Sequence, residues 1–117
     1  MLLAIDVGNS NISLGIFRDA ALLMKGRISV RTRRSADEYA AIVYDLMRMN
    51  QIAREELDGC ILASVVPELT GLVEEAAWII TGTNVLRDQE RRGNYYVQKK
   101  NVGTIHVYSS TAAYLLW

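Results

Sequence analysis

The residues best suited to chemistry are Asp6-Val7-Gly8-Asn9-Ser10-Asn11, a carboxylate followed at once by a glycine and three polar side chains. Residues 2–7 (LLAIDV) form an apolar run that reads as a strand, and Ile12, Leu14 and Ile16 resume with a period of two. The polar residues between them therefore occupy a turn joining two strands. A carboxylate at the end of a buried strand is costly unless a cation or hydrogen-bond donors meet it. Gly8 lets the backbone approach a ligand closely, and both Gly and Asn tolerate positive φ. Asn9, Ser10 and Asn11 add amide and hydroxyl donors beside exposed backbone N–H groups. Such a turn can hold phosphate oxygens while Asp6 holds Mg²⁺ directly or through water. No Gly-Lys-Ser/Thr follows, so this is not a P-loop. The same residues also suit a plain hairpin, with Asp6 as a cap and Gly-Asn as the bend, and the segment alone does not choose between the two.

The elements that must position this turn are legible. Asp19-Ala20 turns the chain again, and residues 21–30 (ALLMKGRISV) make a third strand, so the chain opens as an antiparallel meander. Ser35 followed by Glu38 is a capping box. Tyr39, Ile42, Val43, Leu46 and Met49 then give an apolar stripe at helical spacing through about residue 50. Residues 58–66 (DGCILASVV) are a nearly continuous apolar run and read as a buried strand. Pro67 suits the first turn of a second helix, with Leu69, Leu72, Val73, Ala76 and Ile80 as its buried face and Gly82 as its end. Thr83–Leu86 suits another short strand. The order β-β-β-α-β-α-β predicts an α/β fold, a single mixed sheet with flanking helices.

Composition bounds the rest. The 117 residues suit one domain or one lobe of a larger one, and with 50% hydrophobic residues the chain can build a core. Thirteen basic residues balance thirteen acidic ones, so no global field draws it to nucleic acid or membrane. The single cysteine, Cys60, excludes an internal disulfide, fits a reducing cytosol and reads as a small buried hydrophobe. The N-terminus lacks the basic start of a signal peptide, and the longest apolar stretches fall short of a membrane span. Met24, Met47 and Met49 read as packing residues. Arg31, Arg33 and Arg34, ahead of the first helix, could reach phosphates but read as a solvated loop. Residues 87–100 carry five basic and two acidic side chains around Tyr95 and Tyr96. That pattern can grip single strands of nucleic acid, yet it reads as a solvated segment, and no nucleic-acid partner is expected. His106 could serve as a base but has no partner carboxylate in view.

Four blocks resemble the opening of the type III pantothenate kinases, in the superfamily of actin, sugar kinases and acetate kinase. They are LLAIDVGNSN at 2–11, RISVRTRRSADEYA at 27–40, LDGCILASVVPELT at 57–70 and TNVL at 83–86. The first block occurs across that superfamily, whereas Ser-Ala-Asp-Glu-Tyr and Ser-Val-Val-Pro at this separation are more specific. The resemblance implies a ribonuclease-H-like lobe, here residues 1–86, and transfer of the ATP γ-phosphate to the hydroxyl of pantothenate, which starts coenzyme A synthesis. It also implies Mg²⁺, K⁺, a homodimer and a cytoplasmic location. The implied ATP-binding segment falls on Asp6, Val7, Gly8, Asn9, Ser10, Asn11, Ile12 and Ser13, with Asp6 as anchor of the metal-nucleotide.

The resemblance weakens after Leu86. The family continues with Gly-Pro-Gly-x-Lys-Thr-Gly, where this chain has Arg87-Asp88-Gln89-Glu90-Arg91-Arg92-Gly93. A two-base shift of reading frame would turn codons for Gly-Pro-Gly-Thr-Lys into Arg-Asp-Gln-Glu-Arg, with an arginine possible next, matching residues 87–92; a genuinely divergent segment is the alternative. The family then has a Gly-Ala-Asp-Arg motif that binds pantothenate and whose Asp is the general base. Here Gly103-Thr104-Ile105-His106 keeps the glycine, so Gly103 is the expected substrate contact, but Ile105 cannot accept a proton. Ala112-Ala113-Tyr114-Leu115-Leu116 resembles the family again. The expectation is a truncated, impaired pantothenate kinase-like protein, with residues 87–117 as a divergent tail. A non-catalytic nucleotide-binding or interaction module of the same fold is the alternative.

Overall fold

The computed structural model describes residues 1–82, together with the backbone of residues 85–88 and 94–99. Strands β1 (Leu2–Val7), β2 (Asn11–Arg18) and β3 (Ala21–Ser29) form the expected meander. Helix α1 (Ala36–Met49) leads through a short 3-10 turn at Arg54–Glu56 into β4 (Gly59–Ser64), and helix α2 (Pro67–Thr81) leads on to β5 (Val85–Asp88) and β6 (Asn94–Lys99). One mixed sheet results, in the order β3-β2-β1-β4-β6-β5. Central β1 pairs antiparallel with β2 and parallel with β4. This is the α/β ribonuclease-H-like arrangement the sequence predicts, a meander followed by β-α units.

Strand register explains the core. Leu3, Ile5 and Val7 lie opposite Ile16, Leu14 and Ile12 on β2, and Leu3 and Ile5 lie opposite Cys60 and Leu62 on β4. Their side chains share the face that α1 and α2 cover, through Tyr39, Ala40, Val43 and Met47 and through Val73, Ala76, Ala77 and Ile80. The alternate residues Ala4, Phe17 and Ile61 are buried on the other face.

The helix ends follow local chemistry. The Ser35 hydroxyl accepts from the Glu38 N–H at 3.2 Å, and the Glu38 carboxylate accepts from the Ser35 N–H at 2.9 Å. The Ser35 backbone bond, with its hydroxyl, holds the Glu38 carboxyl below its ordinary value. The box therefore contributes fully above that ordinary value and weakens as pH falls through the lowered one. Ser35→Ala should cost about 1 kcal/mol in urea unfolding at pH 7. At the far end of α2, Gly82 adopts φ 70° and donates to the Trp78 carbonyl at 2.7 Å, a left-handed stop that glycine takes without strain.

Several expectations are corrected. Met49 is 69% exposed, whereas Met47 is fully buried. Met47 lies four residues beyond Val43 on the core stripe, and Met49 is two further positions round, on the opposite side. Ala77 takes a core position on α2, while Leu69 and Leu72 are only partly buried at its edge. The last expected strand begins at Val85, and residues 83 and 84 lie outside the described residues. β6 was not expected at all. Its Tyr-Tyr-Val centre favours a strand, and pairing with β4 along six positions outweighs the flanking charge that read as a solvated segment.

Cys60 is 1% exposed, and burial pushes its thiol up to about 12. A disulfide reagent should leave it unmodified in native protein and titrate one thiol after denaturation.

Candidate functional site

The geometry of the sheet brings the polar turn to one edge. β1 and β4 are parallel, so Val7 and Ser64 end side by side. β3 ends and α1 begins at this edge, and α2 begins there after β4. The electropositive N-termini of both helices thus lie at the carboxyl ends of the central strands, where open α/β sheets commonly take ligands.

The turn itself is held tightly. The Gly8 N–H donates to the Asn11 carbonyl at 2.9 Å, and a Cβ on Gly8 would sit 3.1 Å from that oxygen. A side chain at Gly8 would push the Asn11 carbonyl back by a few tenths of an ångström, so glycine eases this close approach. None of residues 8–11 adopts a positive φ, so the turn does not draw on the tolerance of Gly and Asn for one. Among the described residues the backbone N–H groups of Asn9 and Ser10 donate to no protein acceptor, and both residues are exposed. The Ser10 carbonyl accepts from the Val30 N–H at 3.2 Å, which docks the β3–α1 loop onto the turn.

Asp6 lies opposite Ser13 on β2 and Ala63 on β4, on the face away from the helices. The next row down that face, Ala4 and Ile61, is buried, whereas Asp6, Ser13 and Ala63 are half-buried, so the face opens toward the edge. Burial pushes the Asp6 carboxyl above its ordinary value, and no donor or cation among the described residues pulls it back. A half-buried, unpaired carboxylate beside free N–H groups suits an anion that arrives with its own cation. One carboxylate also fits a cation that keeps most of its waters and shares phosphate oxygens. Among the described residues no cluster of three or more acidic, His or Cys side chains could form a protein-only metal cage.

The remaining expected residues divide. Val7 is fully buried and Ile12 is 1% exposed, so these two offer the site only their backbone. Asn11 and Ser13 are half-buried at its border. The Arg34 guanidinium donates to the Ser29 carbonyl at 2.6 Å and to the Thr32 carbonyl at 3.5 Å, bracing the loop, while Arg31 and Arg33 are exposed. Gly103, Ile105 and His106 lie outside the described residues.

Three neighbours of the turn, Ser64, Val65 and Arg27, are not marked as functional by their residue types alone. The Ser64 hydroxyl accepts from the Val66 N–H at 3.2 Å and from the Thr70 hydroxyl at 2.8 Å, which braces the start of α2 where Val66 has no capping side chain. The Val65 N–H donates to the Val7 carbonyl at 3.1 Å, tying this bend to β1. Arg27, exposed on β3, lies opposite Ser13 and so on the same face as Asp6. Only strand register could have found it.

The sequence model of the type III pantothenate kinases matches residues 2–107. The chain belongs to that family. The match spans the turn, both described helices and the segment after Leu86 where the resemblance weakens. A type III pantothenate kinase of Roseiflexus sp. is 42% identical over 71 residues, covering 61% of this chain and 28% of that protein. One from Geotalea uraniireducens is 45% identical over 75 residues, covering 64% and 29%. One from Finegoldia magna is 31% identical over 117 residues, covering 97% and 45%. The chain thus spans less than half the length of these family members. Among the described residues no helix is long and apolar enough to cross a membrane.

Proposed function

We propose that this chain forms the ATP-phosphate-binding lobe of a pantothenate kinase, in which the γ-phosphoryl of ATP passes to the hydroxyl of pantothenate at the start of coenzyme A synthesis. The observation that carries this reading is the unpaired Asp6 carboxylate beside the free N–H groups of Asn9 and Ser10, at the strand edge of a chain from this family. In it, Gly8 to Asn11 cradle the terminal phosphates through backbone and side-chain donors, and Ser13 adds a hydroxyl at the border. Asp6 holds the metal-nucleotide, and Mg²⁺ bound there supplies charge neutralisation at the phosphate oxygens. K⁺, the homodimer and a cytoplasmic location rest on family membership alone.

Residues 1–86 form the phosphate-binding lobe in this proposal, and residues 87–117 replace the family's substrate segment. Gly103 keeps the first position of the pantothenate motif. Ile105 stands where the family has its general base, and a hydrocarbon cannot take the hydroxyl proton. Turnover is therefore impaired while nucleotide binding persists. Calorimetry with Mg·ATP, paired with a turnover assay on pantothenate with K⁺ present, tests both parts. Binding with little transfer is expected. Turnover equal to that of a longer family member would overturn the impairment, and no Mg·ATP binding would overturn the phosphate site.

A further inference from the structure

On the open face of the sheet, Asp6 lies opposite Ser13 and Ser13 lies opposite Arg27, so the three residues form one row across β1, β2 and β3. With strands about 4.8 Å apart, the outer two stand two spacings from each other. Despite opposite charges they are not paired. The ion pairs among the described residues are Met1 with Asp58 and Arg48 with Asp45, and Arg27 takes part in neither. Nor does the Arg27 guanidinium donate to any described acceptor, in contrast to Arg34, which is engaged with the Ser29 and Thr32 carbonyls. Arg27 is exposed and rooted in a strand rather than in the loop that carries Arg31 and Arg33. The docking of that loop on Ser10 keeps the end of β3 close to the polar turn. A cation and an anion left unpaired on either side of a hydroxyl leave a gap whose natural occupant carries both charges. A phosphate chain with its divalent cation has that character.

We propose that Arg27 is a further contact to the terminal phosphate of the nucleotide, completing a row with Asp6 and Ser13. This rests on the phosphate reading of the Gly8 turn. A guanidinium suits the role because its planar donors meet phosphate oxygens in pairs. A strand also places it more firmly than a loop would.

The test is titration of the full chain with Mg·ATP and Mg·ADP, comparing wild type with Arg27→Ala, Arg27→Gln, Arg27→Lys and Asp6→Asn. Arg18→Ala, at the opposite end of β2, controls for a general loss of positive charge. Arg27→Ala should weaken Mg·ATP binding about tenfold or more, with a smaller loss for Mg·ADP. Arg27→Lys should recover part of it, and Arg18→Ala should bind as wild type does. Arg27→Gln keeps most of the stem and serves if the alanine variant melts early. Unchanged affinity in Arg27→Ala or Arg27→Gln, while Asp6→Asn binds about a hundredfold more weakly, overturns the Arg27 contact alone. An equal loss in Arg18→Ala reduces it to long-range attraction and also overturns it. Failure of wild type to bind Mg·ATP removes the phosphate reading and this contact together.

Discussion

Asp6→Asn should weaken Mg·ATP binding by about a hundredfold, the scale for losing a charged partner, while leaving the folded protein at least as stable at pH 7. The two effects have one cause. Burial raises the Asp6 carboxyl above its ordinary value of 3.8, so the ionised form is disfavoured by the fold. For a raised group, the favourable contribution is complete below the ordinary value and disappears as pH climbs through the folded one. At pH 7 the ionised Asp6 therefore carries a desolvation cost that asparagine removes, and wild type gains on the variant only as pH falls into the acid range. Calorimetry with Mg·ATP and thermal unfolding at pH 7 and pH 4 check both halves. A variant that binds like wild type would refute the metal-nucleotide role. One that binds weakly only because it unfolds would reinstate Asp6 as a hairpin cap.

Leu14→Ala should cost about 3 kcal/mol in urea unfolding, a large part of the stability of a domain this size. Leu14 is fully buried at the centre of β2, under α1. It also fills a slot over Gly26: a Cβ there would meet the Leu14 Cδ1 at 2.9 Å and the Leu46 Cδ1 at 2.8 Å. Gly26→Ala alone should therefore destabilise by overpacking. In the Leu14→Ala background the contact with Leu14 is gone and only the Leu46 Cδ1 still has to move, so the double variant should be more stable than the sum of the single changes implies. Strict additivity would show that Leu14 does not lie over Gly26 as described.

The meander, both helices and the core strands were legible because their signals are local. Alternation of Ile12, Leu14 and Ile16, the Ser35–Glu38 box, and Pro67 and Gly82 at the two ends of α2 each act within one turn or strand. Met49 misled because an apolar residue near a helix end fits the stripe by type although its angular position is wrong. β6 was hidden because its tyrosines sit among charges, and only the edge of β4 makes pairing there favourable.

For the site, residue types alone marked Asp6 and the following turn, since a carboxylate and a glycine beside polar residues form a short-range pattern. They could not distinguish a hairpin cap from a ligand turn. Whether a donor elsewhere in the chain satisfies the carboxylate is a tertiary question, and among the described residues none does. The tertiary structure alone aligned Arg27 with Asp6 through two strand registers, because residues 21 positions apart become neighbours in a row only when the sheet closes. Local chemistry thus determined which elements form and where the polar turn lies. Long-range pairing decided which charges share a face and which remain unpaired there.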